Sequence, residues 1–212
     1  TLFGTGLSGY LGQDYVGQPA GAVFGKIAVP LLSDIPIIGS ILFKQDALVY
    51  ISYFLVPLAA WYFYKTRSGL FLRAMGENPA AVDAAGINVF GLRYLYIVIG
   101  GALAGVAGAY LSLAYAPSWL ENMTAGRGWI AVALVIFALW DPWRAMAGSY
   151  LFGGIDALGF NLQVLGVPVS GFILNMLPYI FTVLVLVLVL KRRGGRSASP
   201  QALGLSYDRE ER

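Results

Sequence analysis

Residues 172–190 run without a single charged side chain and end in the string VLVLVLVL. This run restricts the fold more than any other feature, because about 20 apolar residues in one helix match the ~30 Å hydrocarbon core of a bilayer. The alternation at its end would suit a β-strand. A lone strand in lipid, however, leaves its backbone N–H and C=O groups unpaired, so a helix is predicted. Residues 47–64 and 94–115 meet the same requirement, and the first of these closes on Trp61, Tyr62, Phe63 and Tyr64, the aromatic clustering of a membrane interface. Only 12% of the residues are charged, about half the usual share in a soluble domain. The 27 glycines suit helices that approach closely in lipid. The expected fold is therefore an all-α integral membrane protein, a polytopic helical bundle.

Two shorter apolar pieces, 128–140 and 143–160, are separated by Asp141-Pro142-Trp143-Arg144. Thirteen residues rise only ~20 Å as a helix, so these pieces are expected to lean on neighbours or line an internal cavity. Paired short or Gly/Pro-interrupted segments of this kind point to a transport path. The basic residues then set the orientation. If the chain is cytoplasmic from Lys191 onward, eleven of its fourteen Lys and Arg residues fall inside, and only Lys26, Lys44 and Arg127 fall outside. This is the positive-inside bias of a plasma-membrane protein with a cytoplasmic C-terminus.

Residues 1–190 are then read as one transmembrane domain that carries a cytoplasmic loop at 65–93. Residues 191–212 form a polar tail expected to be disordered and solvated. Residues 9–45 fall on the outer side, with apolar patches cut by Pro30, Asp34 and Pro36 that are too short to span. The chain opens TLFGTGLSGYLG, without Met or a signal-peptide pattern, and is expected to be part of something longer.

The chain has no Cys and no His, which removes thiolate chemistry, disulfides, the commonest general base and the commonest metal ligand. No GxxxxGK[ST] phosphate loop is present, so no nucleotide or metal cofactor is expected on this chain. A net charge of +3 concentrated in loops speaks for membrane orientation and lipid contact rather than for nucleic acid.

The loop holds the most specific local pattern, GENPAAVDAAGINV. Asn78 is a good N-cap, Pro79 at the first helical position has its φ already set, and Gly86 stands where a left-handed residue closes a helix. Two turns of small residues result, with Arg73 and Glu77 flanking them. A solvated connector is one reading. A helix capped at both ends and isolated between two spans argues instead for contact with a partner.

The strings LRAMGENPAAVDAAGINVFGLRY, GGALAGVAGAYLSL and NMTAGRGWIAVALVIFALWDPWRAMAGSYLFGG resemble the permease subunits of bacterial ABC importers. The likeness is to the branched-chain amino acid and simple-sugar group, and is closest to its nucleoside branch with basic-membrane-lipoprotein-type binding proteins. It covers roughly residues 70–190. The resemblance implies that residues 78–86 are a coupling helix docking on a separate ATPase subunit. Arg73, Glu77, Asn78, Pro79, Ala81, Val82, Asp83, Ala85 and Gly86 would form that contact. It also implies a second permease subunit, a solute-binding lipoprotein outside, and ATP with Mg on the partner ATPase. On resemblance, a nucleoside ranks first as solute, then a simple sugar, then a branched-chain amino acid. Asp83-Ala84-Ala85-Gly86 is similar to the general permease EAA loop, but Asp replaces Glu and the spacing to Gly is shorter, so no residue-by-residue equivalence follows.

Other residues carry two readings each. Gly101 and Gly105 form a GxxxG pair for close helix contact, either within this chain or across a dimer seam. Arg127 would face either an acidic patch on a delivering protein or lipid phosphate. Asp156 lies in an apolar segment, where a carboxylate marks function by default; the alternatives are a hydrogen bond to Ser149 or Asn161, or a place near the outer surface. An intramembrane aspartyl protease would need a second positioned carboxylate, for which only Asp141 is at hand. Asn122, Asn161, Gln163 and Asn175, with Trp129, Phe160 and Phe172 for stacking, are the candidate lining of a path for a hydroxyl-rich or nucleobase ligand. With Asp156 they are the candidate translocation residues. Pro178 is expected to kink the last span. The rival from another class is an ion-coupled secondary transporter relying on Asp156.

Overall fold

The computed structural model describes residues 2–21, 23–30, 33, 42–120, 123–124, 126–166, 171–192 and 199–209. Helices α1 (Leu2–Gly12), α2 (Ala47–Lys65), α3 (Arg67–Glu77), α4 (Pro79–Ala84), α5 (Val89–Tyr110), α6 (Arg127–Ala138), α7 (Pro142–Val164) and α8 (Gly171–Arg192) account for most of these residues. A two-residue antiparallel ladder, β1 (Ile27–Ala28) with β2 (Lys44–Gln45), departs from the all-helical expectation. Three of the elements answer the three expected spans. The VLVLVLVL run is helical within α8. Among the described residues, Ala47–Lys65 and Val89–Tyr115 are long and apolar enough to cross a membrane, and almost none of their residues is fully buried within the chain. Side chains such as Ile97 and Val98 lie open, a cost that lipid rather than water relieves.

The chain forms two compact units, Thr1–Leu55 with Phe90–Ala125, and Val56–Val89 with Gly126–Arg212. In the first, Asp46 starts α2. Its Oδ1 accepts from the N–H groups of Leu48 and Val49 at 3.1 Å each, and its Oδ2 accepts from the Tyr110 hydroxyl at 3.1 Å. The residue is 8% exposed, so every one of these bonds replaces water that cannot reach it. Asp46→Ala is expected to destabilise this unit by about 2 kcal/mol, combining a lost N-cap with the lost acceptor of the half-buried Tyr110 hydroxyl. Asp46→Asn, which keeps an acceptor, should lose less. Thermal unfolding in detergent reads both, and an unchanged midpoint in the alanine variant contradicts the capping role.

Also in this unit, the Tyr50 hydroxyl donates to the Ile27 carbonyl at 2.9 Å and fastens the ladder to α2. Gly17, Ala20 and Phe24 lie beside residues 113–119, with Gly17 N donating to the Trp119 carbonyl, Ala20 N to that of Pro117 and Phe24 N to that of Leu113. A Cβ on Gly12 would collide with the Trp119 indole, its Cζ2 lying 2.8 Å away, which explains glycine there. α5 ends in a π-helical turn, Leu111–Tyr115.

In the second unit, α6, α7 and α8 pack against one another pairwise. Gly148 lets α7 approach α6, since a Cβ there would stand 2.7 Å from Leu134 Cδ2 and 2.8 Å from Phe137 Cε1. Phe152 and Phe181 meet edge to face with ring centroids 5.9 Å apart. The reversal from α6 to α7 is made by Leu139 (φ 56°) and Trp140 (φ 58°), both left-handed, at roughly 1 kcal/mol or more each for residues bearing a Cβ. Asp141 then caps α7 by accepting from Arg144 N at 3.0 Å, with Pro142 behind it as the first helical residue.

One expectation is corrected here. The piece 143–160 is expected to be a short apolar segment, but α7 is a continuous 23-residue helix, about 35 Å long at 1.5 Å per residue. Gly153-Gly154 does not break it, and Asn161 and Gln163 extend it until Gly166 (φ 69°) ends it. α6, at 12 residues, is short as expected.

Candidate coupling surface

Thr66 begins the loop. Its hydroxyl donates to the Tyr62 carbonyl at 2.6 Å and accepts from Gly69 N at 3.0 Å, so the end of α2 and the cap of α3 share one side chain. Gly69 sits so close to α2 that a Cβ would stand against the Tyr62 carbonyl oxygen, with Phe63 Cα at 2.7 Å. Arg73 lies over the Tyr64 ring, 5.4 Å from its centroid, and the Tyr64 hydroxyl donates to Asp141 Oδ2 at 2.8 Å. Thus α2, α3 and the α6–α7 turn are tied at one point. The Asp141 carboxyl is held below the usual carboxylate range, first by the backbone N–H of Arg144 and then by the Tyr64 hydroxyl.

Asn78 closes α3 and opens α4. Its N–H bonds the Ala74 carbonyl at 2.8 Å, while its Oδ1 accepts from Ala81 N at 3.1 Å. The cap-to-cap helix expected from the sequence is therefore present, with Pro79 at its first position and Gly86 left-handed at φ 80°. Glu77 and Asn78 are exposed, as are Ala80, Ala81, Ala84 and Ala85. Val82 is not: it is 4% exposed, being the one large apolar side chain on a helix of small ones and so the one that anchors it. Asp83 also turns inward, its side chain 8% exposed. The open face of α4 is its alanine face. Val82 and Asp83, expected to touch a partner, instead hold α4 in place.

The candidate translocation residues are only partly brought together. Arg127 Nη2 and Asp156 Oδ2 pair at 3.8 Å, both side chains about 40% exposed, a partner for Asp156 that the sequence reading did not foresee. Ser149 and Asn161 do not serve it in the expected way. Ser149 donates to the Met146 carbonyl at 2.8 Å and Asn161 to that of Ala157 at 2.8 Å, each one turn back on α7. Trp129 is 79% exposed, and Gln163 lies exposed near the end of α7. Asn175 lies on α8. Asn122 falls outside the described residues. A Cβ on Gly101 or Gly105 would meet no other side chain or distant backbone within 4 Å, so the expected packing of that face within the chain does not occur among the described residues.

Sequence reasoning missed Asp46, Tyr64 and Asp141 as organising residues. Asp46 was findable, because an Asp immediately before an apolar span is a helix-start signal. The Tyr64–Asp141 bond joins positions 77 residues apart and has no local signature.

Residues 2–190 match the family described as branched-chain amino acid transport system / permease component. The chain belongs to this permease family. Among curated relatives, the permease is 39% identical to a protein assigned as a glucose ABC transporter permease in Haloferax volcanii, over 99% of this chain and 70% of that protein. It is 41% identical to the nucleoside ABC transporter permease protein of Lactococcus lactis, over 84% of this chain and 56% of that one. It is 33% identical to the guanosine ABC transporter permease protein of Bacillus subtilis, over 87% and 57% respectively. The chain thus spans between about half and 70% of the length of these relatives. No solved structure matches it. The family is one of transport-system permease components.

Proposed function

We propose that the permease is the membrane-spanning subunit of an ATP-driven importer for nucleosides, moved by a separate ATPase that docks on α4. The observation that carries this reading is the construction of α4: capped at Asn78, anchored by Val82, and presenting four exposed alanines on a surface that a second protein can approach closely. The loop charges support placing α4 and the C-terminus in the cytoplasm. ATP and Mg belong to the ATPase. A second permease subunit completes the path, and an extracytoplasmic lipoprotein delivers solute. Transport follows because the nucleotide states of the ATPase bind inward- and outward-facing permease conformations with different affinity.

The nucleoside assignment draws on the Lactococcus and Bacillus relatives. The Haloferax relative, matched along 99% of this chain, favours a simple sugar as the second reading. In liposomes holding the assembled transporter and its binding protein, labelled guanosine is expected to accumulate only with ATP, and excess glucose should not compete. Uptake of glucose in place of guanosine selects the second reading. Accumulation driven by a proton gradient without ATP refutes both.

The Arg127–Asp156 ion pair gives the carboxylate a charged partner, which suits a structural tie rather than a proton relay. Asp156→Asn is expected to leave ATP-driven uptake within about twofold of wild type. Loss of uptake with ATPase activity intact would favour the ion-coupled rival.

A further inference from the structure

Residues 199–209 were expected to be solvated, yet they return to α3 and α4. Ala202 N donates to the Gly76 carbonyl at 2.9 Å, and Pro200 lies close enough that a Cβ on Gly76 would stand 3.2 Å from its Cβ. Farther along, the Tyr207 hydroxyl donates to Asp83 Oδ2 at 3.0 Å, and Arg209 Nε donates to the same oxygen at 2.8 Å while its Nη2 reaches Oδ1. Asp83 holds the Arg209 guanidinium pKa above its ordinary value, chiefly through that hydrogen bond. The outer partner of this cluster is open to solvent, the Arg209 side chain being 62% exposed, but the Asp83 carboxylate is covered. A covered carboxylate engaged on both oxygens by one guanidinium fork is a firmer and more directional tie than a monodentate surface pair.

The segment grips α4 without covering it, since Ala80, Ala81, Ala84 and Ala85 stay exposed. It therefore does not plug the docking face. Two helical turns cannot persist alone in water, and a load on the alanine face moves the spans only if α4 moves as one body with α3. We propose that residues 199–209 are a strap that fixes α4 to α3 through Asp83, so that the C-terminal segment is part of the transmission between ATPase and membrane helices. This role rests on the reading of α4 as the coupling helix. Tyr207 and Arg209 are positioning residues in it.

The test uses the full-length permease in the assembled transporter. Arg209→Ala with Tyr207→Phe is expected to co-purify with the ATPase in wild-type amount and to hydrolyse ATP, yet to move about fivefold less solute per ATP. Arg209→Lys should recover part of the loss, since an ammonium supplies a point charge but not the fork. Because the chain has no native Cys, a Gly76→Cys, Pro200→Cys pair, whose Cβ positions stand 3.2 Å apart and which leaves Asp83, Tyr207 and Arg209 in place, reports the contact alone when crosslinked in membranes. Unchanged solute per ATP in the double variant overturns the strap, as does failure of the crosslink. A parallel fall in assembly and transport also overturns it, by showing a merely structural part. If the crosslink forms but the wild-type permease binds no ATPase, the coupling reading itself has failed, and the transmission role fails with it.

Discussion

Ala84→Arg is expected to abolish co-purification of the ATPase and to lower ATP-driven uptake by at least about tenfold, while the permease still inserts and folds. Ala84 is exposed at the end of α4, so the longer side chain meets solvent in the free permease. Arginine is nearly as good a helix former as alanine, so α4 survives. In the docked state the same guanidinium is pressed into a surface shaped for small residues. Stripping a charge of water without a partner costs several kcal/mol, and each 1.4 kcal/mol is a factor of about ten in affinity. Val82 is the control that separates docking from folding. Being buried, it should lower the stability of the loop when truncated to alanine without presenting anything new to the ATPase. Wild-type association in Ala84→Arg would remove the alanine face from the docking surface.

Gly69→Val is expected to destabilise the permease by roughly 2–4 kcal/mol, read as a lower unfolding midpoint in detergent. The added carbon would stand against the Tyr62 carbonyl oxygen and 2.7 Å from Phe63 Cα. Both neighbours are backbone within α2, already fixed by the Thr66 hydroxyl, and neither can rotate aside. The α2–α3 junction must open, which would also lift Arg73 from the Tyr64 ring. Gly148→Ala is the instructive comparison. Its Cβ would meet Leu134 and Phe137 side-chain atoms at 2.7 to 2.9 Å, and side chains can shift. A smaller loss is expected there, and equal losses at the two glycines would contradict the distinction between backbone and side-chain neighbours.

What the sequence made legible follows from how local each signal is. Apolar length placed the helices that became α2, α5 and α8, because span length is fixed by bilayer thickness and needs no knowledge of neighbours. Asn78, Pro79 and Gly86 announced α4 because caps act within one turn. The inward turn of Val82 was readable in principle from its being the one large apolar residue among alanines, though not which element would cover it. Apolar length fell short for α7, since the polar Asn161 and Gln163 lie beyond the apolar run yet continue a helix that Asp141 and Pro142 start firmly. The ties made at a distance, Tyr64 to Asp141 and Arg209 to Asp83, were illegible for the same reason as the Arg127–Asp156 pair. Nothing beside either residue in the chain records its partner. The tail in particular reads as polar and unstructured by composition, while two of its side chains find one covered carboxylate 124 and 126 positions earlier.

The most direct measurement places a single cysteine at Ala84, in a chain that has none of its own, and asks what a short crosslinker captures in actively transporting membranes. The expected product is a covalent adduct with an ATP-hydrolysing subunit, its yield changing between nucleotide-free and ATP-bound conditions. Robust uptake with no such adduct from Ala84, or from Ala81 on the same exposed face, would contradict the claim that a separate motor drives this permease through α4.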